Sequence, residues 1–216
     1  MSWLVDWLEG LPTELVLVVP AVLLAALFGI ILALRRARLR RWRRIGAHTG
    51  LRLKEKTIVD SPELSGDYRG RRLTMTIAGR QRGSTRFRKT WTLVTVEVVN
   101  PTFLGLKAYR QDVVDTLLTS IGMPDLKVGD AAFDRRFIIQ SDDAPTATQL
   151  LENVELRNDL TGADIERLEV FGSKLAAYYA REERDAGHAQ VLFDAVVRLA
   201  NAIDSLKNDD KPERIL

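Results

Sequence analysis

The chain has 216 residues, a net charge of +3 and no cysteine. Without cysteine it has no disulfide, no thiolate nucleophile and no cysteine-based metal site. The small net charge hides a division, because residues 1–110 carry 20 Lys and Arg against 8 Asp and Glu, whereas residues 111–216 carry 12 against 21. This asymmetry predicts an anionic surface near the first half and a cationic or solvated environment for the second.

The first element is an uncharged apolar run from Leu15 to Leu34. Twenty residues of helix span about 30 Å, the thickness of a bilayer's hydrocarbon core, so residues 15–34 are predicted to be a single transmembrane helix. The arginines that follow predict an N-out, C-in orientation in the cell (inner) membrane, with residues 1–14 as a short extracytoplasmic segment. The alternative, a cleaved signal peptide, needs cations before the apolar run, and this chain has Asp6, Glu9 and Glu14 there instead.

Residues 35–48 are predicted to be an arginine-rich juxtamembrane linker that binds anionic headgroups, at about 1 kcal/mol for each cation. Its seven arginines are Arg35, Arg36, Arg38, Arg40, Arg41, Arg43 and Arg44. Tryptophan favours membrane–water interfaces, so Trp3 and Trp7 are predicted anchors at the outer interface and Trp42 at the inner one.

Residues 49–207 switch between apolar periods of two and about 3.6 residues, which predicts a mixed α+β cytoplasmic domain with an antiparallel sheet. Expected strands are Leu73 to Ile77, Trp91 to Val99, Phe103 to Tyr109, Phe137 to Gln140, Arg167 to Phe171 and Lys174 to Ala180. Hairpin turns are expected at Arg69-Gly70 and at Gly172-Ser173. Expected helices are Val113 to Ile121, one that Ser141-Asp142-Asp143 caps, with Ala147, Leu150, Leu151 and Val154 buried, and a long amphipathic one from Gly187 to Leu206 that buries Val191. Residues 208–216 are expected to be a charged tail.

A second basic cluster lies between the strands predicted at Leu73 and Trp91. Its cations are Arg80, Arg82, Arg86, Arg88 and Lys89. We expect this hairpin loop to bind headgroups or an acidic partner. Nucleic acid is not expected as a partner, because the only nearby aromatics, Phe87 and Trp91, fit a strand core.

Candidate catalytic groups all have simpler explanations. His48 and His188 are the only histidines, and they have no metal-ligand spacing. Asp142-Asp143 fits a helix cap, and Gly129-Asp130 fits a turn before Phe133. The segment Gly66 to Arg71 has the glycines and arginines of a phosphate loop but lacks its spacing and its following helix. No catalytic, cofactor or metal site is therefore predicted, and we expect a non-enzymatic protein.

The order of several motifs along the chain resembles that of a protein family. They are the transmembrane anchor, the Gly66-Asp67-Tyr68-Arg69-Gly70-Arg71 turn, Gly129-Asp130 before Phe133-Asp134 and Phe137, and Ser141-Asp142-Asp143 before a Leu150-Leu151 helix. The order is similar to that of a loose group of prokaryotic membrane-tethered proteins, over roughly residues 15–206. In that group one or two N-terminal membrane helices precede an α+β domain of unknown function. The resemblance implies the architecture and carries no activity.

The sequence thus favours a membrane-anchored accessory or scaffold protein whose cytoplasmic domain binds a protein partner and anionic headgroups. One alternative is a structural single-helix subunit of a larger membrane complex, such as a transporter or a bioenergetic assembly. Another is an enzyme that acts on a membrane-proximal phosphorylated substrate near Tyr68 to Arg72. Homo-oligomer formation stays open.

Overall fold

The computed structural model describes residues 13–54, 61–79, 90–111 and 126–206. The chain forms two compact units, and the boundary between them falls after Arg41. Several predictions lie outside the described residues: the anchors Trp3 and Trp7, the loop from Arg80 to Lys89, the helix from Val113 to Ile121, and the tail.

The described part of the first unit is residues 13–41 of a long helix, α1 (Thr13–Thr49), and it contains the apolar run. Ten large apolar side chains between Val18 and Leu34 are at least half exposed. Covering a fully exposed side chain of this kind stabilises by about 1.5–3 kcal/mol, so the exposed fractions of the ten, 50–67%, together represent roughly 9–17 kcal/mol. Among the described residues, α1 is the one helix that is long and apolar enough to cross a membrane.

The second unit contains an antiparallel sheet of eight strands in the order β1-β2-β3-β4-β8-β7-β5-β6. The strands are β1 (Arg52–Lys54), β2 (Glu63–Tyr68), β3 (Arg71–Gly79), β4 (Thr90–Glu97), β5 (Leu106–Arg110), β6 (Phe137–Ser141), β7 (Ile165–Phe171) and β8 (Lys174–Tyr179). Four further helices are described: α2 (Ala131–Arg136), α3 (Ala144–Leu151), α4 (Val154–Gly162) and α5 (Ala186–Ser205). The mixed α+β class and the antiparallel sheet are confirmed.

One face of the sheet forms the core with the helices. Alternate residues of the central strands are buried there, including Leu73, Val94 and Leu175, and α5 packs on them through residues such as Phe193 and Leu199. The residues between them, on the opposite face, are only partly covered. The domain therefore has two layers, with helices on one face of the sheet and the other face open among the described residues.

The local predictions that rest on turns and caps are confirmed. Arg69 and Gly70 both have positive φ in the β2–β3 turn, and Gly172 has φ +56° in the β7–β8 turn. Asp143 caps α3 by accepting a hydrogen bond from the Thr146 N–H, with Pro145 in the first turn. The last helix, α5, runs within a residue of its predicted bounds.

Other local predictions are wrong. Val154 is 57% exposed and does not belong to α3. The buried face of α3 ends at Leu151, and Asn153 caps the next helix, α4, which begins at Val154. Val191 is 47% exposed and lies outside the buried face of α5. The strand expected from Phe103 begins only at Leu106, because the preceding residues form a loop.

The structure also differs from the prediction at the junction after the apolar run. Helix α1 continues without a break to Thr49, through the residues predicted as a linker. Trp42 and Ile45 are fully buried in the core of the second unit. Trp42 therefore stabilises the domain, and its ring is not available as an anchor at the inner interface.

Candidate functional site

The arginines of α1 form the first candidate surface. Arg36, Arg38, Arg40, Arg43 and Arg44 are exposed, whereas Arg35 and Arg41 are half-buried. At 1.5 Å per residue the block rises about 14 Å along the helix axis. It is therefore a band of positive charge that begins one residue after the apolar run ends.

The last turns of α1 pack closely against the domain. A Cβ on Gly46 would lie 2.7 Å from the carbonyl oxygen of Leu51, so only glycine fits this contact. Thr49 Oγ1 donates a hydrogen bond to the Ile45 carbonyl at 2.8 Å. His48 Nε2 lies 2.8 Å from Gln190 Oε1 on α5, which gives this histidine a structural role.

The Gly66 to Arg71 segment is a structural hairpin that holds α5. Tyr68 donates a hydrogen bond to Asp194 at 2.6 Å, and Arg69 pairs with the same carboxylate at 2.8 Å. Arg71 pairs with Asp204 at 2.7 Å near the end of α5. Burial, and then the bond to Asp194, raise the pKa of Tyr68. The two arginines that suggested a phosphate loop are thus engaged within the protein.

The candidate acids and the second histidine have structural partners as well. Asp142 Oδ1 accepts the Gly105 N–H at 2.7 Å, which ties β5 to the start of α3. Asp130 caps α2, and the N–H of Phe133 lowers the pKa of its carboxyl. His188 Nδ1 bonds the buried Glu183. No group of three or more metal-ligating side chains occurs within the described ranges.

One end of the sheet exposes large apolar side chains, which the sequence analysis did not single out. Val99, Phe103 and Phe171 are 77%, 76% and 83% exposed. Val99 and Phe103 belong to the β4–β5 loop, and Phe171 is the last residue of β7. The loop and the β7–β8 turn are joined by hydrogen bonds from Val98 N to Ser173 O (3.0 Å) and from Asn100 Nδ2 to Gly172 O (2.9 Å). We call these three side chains the apolar end.

Hydrogen bonds of the Asn100 and Asp204 side chains fix the conformation of the loop at the apolar end. Asn100 is 1% exposed, and its side chain also bonds the main chain of Leu104 through both its amide nitrogen and its oxygen. Asp204 accepts hydrogen bonds from the N–H groups of Val99 and Asn100 at 2.7 and 3.1 Å. Phe103 has φ +53°, a conformation that costs a side-chain-bearing residue about 1–2 kcal/mol. The fold therefore presents an exposed aromatic ring on a strained backbone.

Beside the apolar end, the open face of the sheet has a shallow cavity of about 380 Å³. Its charged lining residues are Arg72, Glu97 and Lys174, and Thr74 and Thr95 also line it. The lining of this cavity thus contains two cationic side chains and one acidic side chain.

An aromatic and cationic row crosses the same open face. The Arg167 guanidinium lies 5.5 Å from the Tyr109 ring centre and 5.0 Å from that of Tyr178. Tyr178 meets Trp91 edge to face at 6.0 Å, so Trp91 is on this face and not in the core. Burial raises the pKa of both tyrosines above the usual value of a phenol.

The opposite end of the sheet gathers arginines. Arg110 ends β5, Arg136 precedes β6, and both pair with Asp164, at 2.5 and 3.1 Å. Arg181, just after β8, lies within electrostatic reach of the same carboxylate. Gly79 and Thr90, which pair in the sheet at this end, flank the segment that contains the predicted basic loop.

Comparison with known proteins gives little further information. No protein-family model matches the sequence, and no curated protein matches it. Among solved structures, the chain is similar to the crystal structure of the mycobacterial trehalose monomycolate transport factor A, TtfA, at 12% identity and a TM-score of 0.48. The match covers 79% of this chain and 93% of that one. A likeness this distant carries no functional assignment.

Proposed function

We propose that this protein is a membrane-anchored accessory protein without enzymatic activity, whose cytoplasmic domain binds a protein partner. The observation that carries the proposal is helix α1, which exposes ten large apolar side chains and ends inside the core of the domain. An apolar surface of this size is unstable in water, whereas the hydrocarbon core of a bilayer is thick enough to cover the whole apolar run. N-out, C-in orientation in the cell membrane follows from the arginines after the apolar run.

Anionic headgroups are the second ligand of this proposal. The headgroup layer on each side of a bilayer is about 5–8 Å thick, from a total of 40–45 Å and a core of about 30 Å. The arginine band of α1 is about 14 Å long, so only its first part contacts headgroups when the helix stands upright. Arg35, Arg36 and Arg38 are therefore the main lipid contacts, and the later arginines stay in water.

The apolar end is the surface that we assign to the protein partner. Its three side chains are held by two connected loops, so binding loses little conformational entropy there. Exposed, preorganised aromatic rings are the usual anchors of protein interfaces. Arg72 and Lys174 lie at its rim against the single acid Glu97. The partner chemistry that fits is an apolar pocket with an acidic edge.

The experiment is affinity purification of the full-length protein from its native membrane in mild detergent, with mass spectrometry of stoichiometric components. It compares the wild type with the apolar-end variant Val99→Ser, Phe103→Ser, Phe171→Ser. The matched control is Val154→Ser with Val191→Ser, which removes exposed apolar side chains elsewhere. We expect a partner that the wild type and the control retain and that the apolar-end variant loses.

Two other outcomes contradict the proposal. If no partner co-purifies with the wild type, the protein is not an accessory subunit. If the partner stays with the apolar-end variant and leaves only when α1 is exchanged for another transmembrane helix, the contact is made in the bilayer. The protein would then be a single-helix subunit of a larger membrane complex.

A further inference from the structure

Four charged side chains of alternating sign form a row across the open face of the sheet. Asp67 of β2 lies directly opposite Arg72 of β3, and Glu97 of β4 lies directly opposite Lys174 of β8. Arg72 and Glu97 continue the register of β3 with β4, so they are neighbours as well. Opposite residues of paired strands point to the same face, and the row therefore has the order minus, plus, minus, plus from β2 to β8.

These four charges are not used inside the protein. Each residue is exposed, and none of the four side chains makes an ion pair or a hydrogen bond with another described residue. The next row along the same strands consists of small residues, Ser65, Thr74, Thr95 and Ala176. Thr74 and Thr95 line the cavity of about 380 Å³. The centre of the open face thus has room for another surface beside the charged row.

We propose that this face binds a second copy of the same chain in a two-fold symmetric dimer. A two-fold axis that runs parallel to the strands, between β3 and β4, places the two open faces against each other. It reverses the order of the strands and keeps each row at its level. Asp67 then meets the second copy's Lys174, and Arg72 meets the second copy's Glu97, each twice. Every charge of the row faces its opposite, as an interface between two identical patches requires.

The size of the face is sufficient for such a dimer. Five strands of six residues or more, together with the short β1, give an outline of roughly 26 Å by 20 Å, at about 4.8 Å between strands and 3.3 Å per residue. The two copies together therefore cover about 1,000 Å², the size from which specific interfaces begin. Sheets that pack face to face with nearly aligned strands are a common arrangement.

Like charges meet at one level of this arrangement, near its outer edges. Lys54 of β1 and Arg167 of β7 occupy the two ends of the same row. Each of them already pairs with an acid of its own chain, Lys54 with Glu63 and Arg167 with Glu169. These edges therefore add little net repulsion, and the charged row near the axis decides the fit.

The dimer goes beyond the proposed accessory function and forms without the protein partner. Arg72 and Lys174 also lie at the rim of the apolar end. The dimer and the partner complex therefore compete for these two cations.

Size-exclusion chromatography with multi-angle light scattering tests the dimer on the full-length protein in mild detergent, after co-purifying proteins are removed. The variants are Arg72→Glu and Glu97→Arg, and each replaces two attractive contacts of the dimer by two repulsive ones. The matched control is Arg135→Glu, the same charge reversal at an exposed position of α2, outside the sheet. Circular dichroism confirms that all variants are folded.

A mixture of the two variants distinguishes contacts between copies from effects within one chain. Arg72→Glu has glutamate at both positions, and Glu97→Arg has arginine at both. Neither variant fits a copy of itself, but each fits the other, because every contact at the axis is then attractive again. A charge effect inside one chain is not repaired by mixing.

We expect the mass of a dimer for the wild type and the control, and the mass of a monomer for each variant alone, with a dimer Kd raised about a hundredfold or more. The mixture should regain the mass of a dimer. A monomeric wild type overturns the proposal, and so does a mixture that stays monomeric. Dimers of either variant alone also overturn it, because the contact then lies elsewhere, such as in α1. These masses do not depend on whether a protein partner exists.

Discussion

Replacing Trp42 by alanine tests whether this residue belongs to the core of the domain, as the structure has it, or anchors the helix at the membrane interface, as the sequence predicted. The indole is 0% exposed within the hydrophobic core of the domain. Truncating a fully buried Trp to Ala costs about 3–5 kcal/mol, a large part of the 5–15 kcal/mol that stabilises an ordinary domain. We expect urea unfolding of the full-length protein in mild detergent, followed by circular dichroism, to show a loss of this size.

Two further variants sharpen this prediction. The Trp42 Nε1 has no hydrogen-bond partner in the described residues, so Trp42→Phe removes an unsatisfied donor and should cost clearly less than Trp42→Ala. Arg44→Ala, at an exposed position of the same helix, should stay within about 0.5 kcal/mol of wild type. Equal stability of Trp42→Ala and Arg44→Ala would contradict a buried Trp42, because it is the result expected of an indole at the lipid interface.

Three other predictions concern the contacts of the domain. In urea unfolding, Arg71→Gln should cost about 2–3 kcal/mol, because the 16%-exposed Asp204 loses the one cation that pairs with it among the described residues and keeps just two main-chain N–H donors. Arg69→Gln should cost less than about 1 kcal/mol, because the Arg69 side chain is 53% exposed. Equal losses would contradict the difference in burial. Phe103→Gly should leave the free energy of unfolding unchanged or raise it by up to about 1 kcal/mol, because glycine adopts a positive φ without strain. The same variant should capture less of the partner. A clear loss of stability would mean that the Phe103 ring packs against the domain. The free energy of unfolding should fall as pH rises from about 10 through the raised pKa of Tyr68, because the phenol ionises at lower pH in the unfolded chain than in the folded one. Tyr68→Phe should make this fall less steep when unfolding is measured across the same pH range. An unchanged slope would contradict the prediction.

Local sequence signals were sufficient where one short pattern decides the structure. Turns that need a positive φ, at Gly70 and Gly172, and a carboxylate cap, at Asp143, specify their own geometry. The wide apolar face of α5 likewise predicted this last helix and its bounds.

Features that depend on distant parts of the chain could not be predicted in this way. Helix α4 buries only Leu156 and Leu160, too few residues to mark a helix by periodicity. Trp42 lies among arginines in the sequence, and only the domain packed around it shows that it is a core residue. The apolar end was missed because Val99 and Phe171 are far apart in sequence and each belongs to a separate strand pattern.

The arginines at the end of the sheet opposite the apolar end were missed for a similar reason. Arg110 and Arg136 flank different strands, and the register of Arg110 with Phe137 brings them together. The sequence instead pointed to Arg69 and Arg71, whose charges are matched by Asp194 and Asp204. The strand register decides which cations meet, so a count of cations along the chain did not find this group.

The absence of native cysteine allows a direct test of the proposal that the chain is anchored in the membrane with its domain in the cytoplasm. Single variants Ser2→Cys and Ser173→Cys, the latter in the exposed β7–β8 turn, are treated in intact cells with a membrane-impermeant maleimide. We predict labelling of Ser2→Cys in intact cells and of Ser173→Cys only after the membrane is opened. Labelling of Ser173→Cys in intact cells, or recovery of the protein in the soluble fraction, would contradict the account.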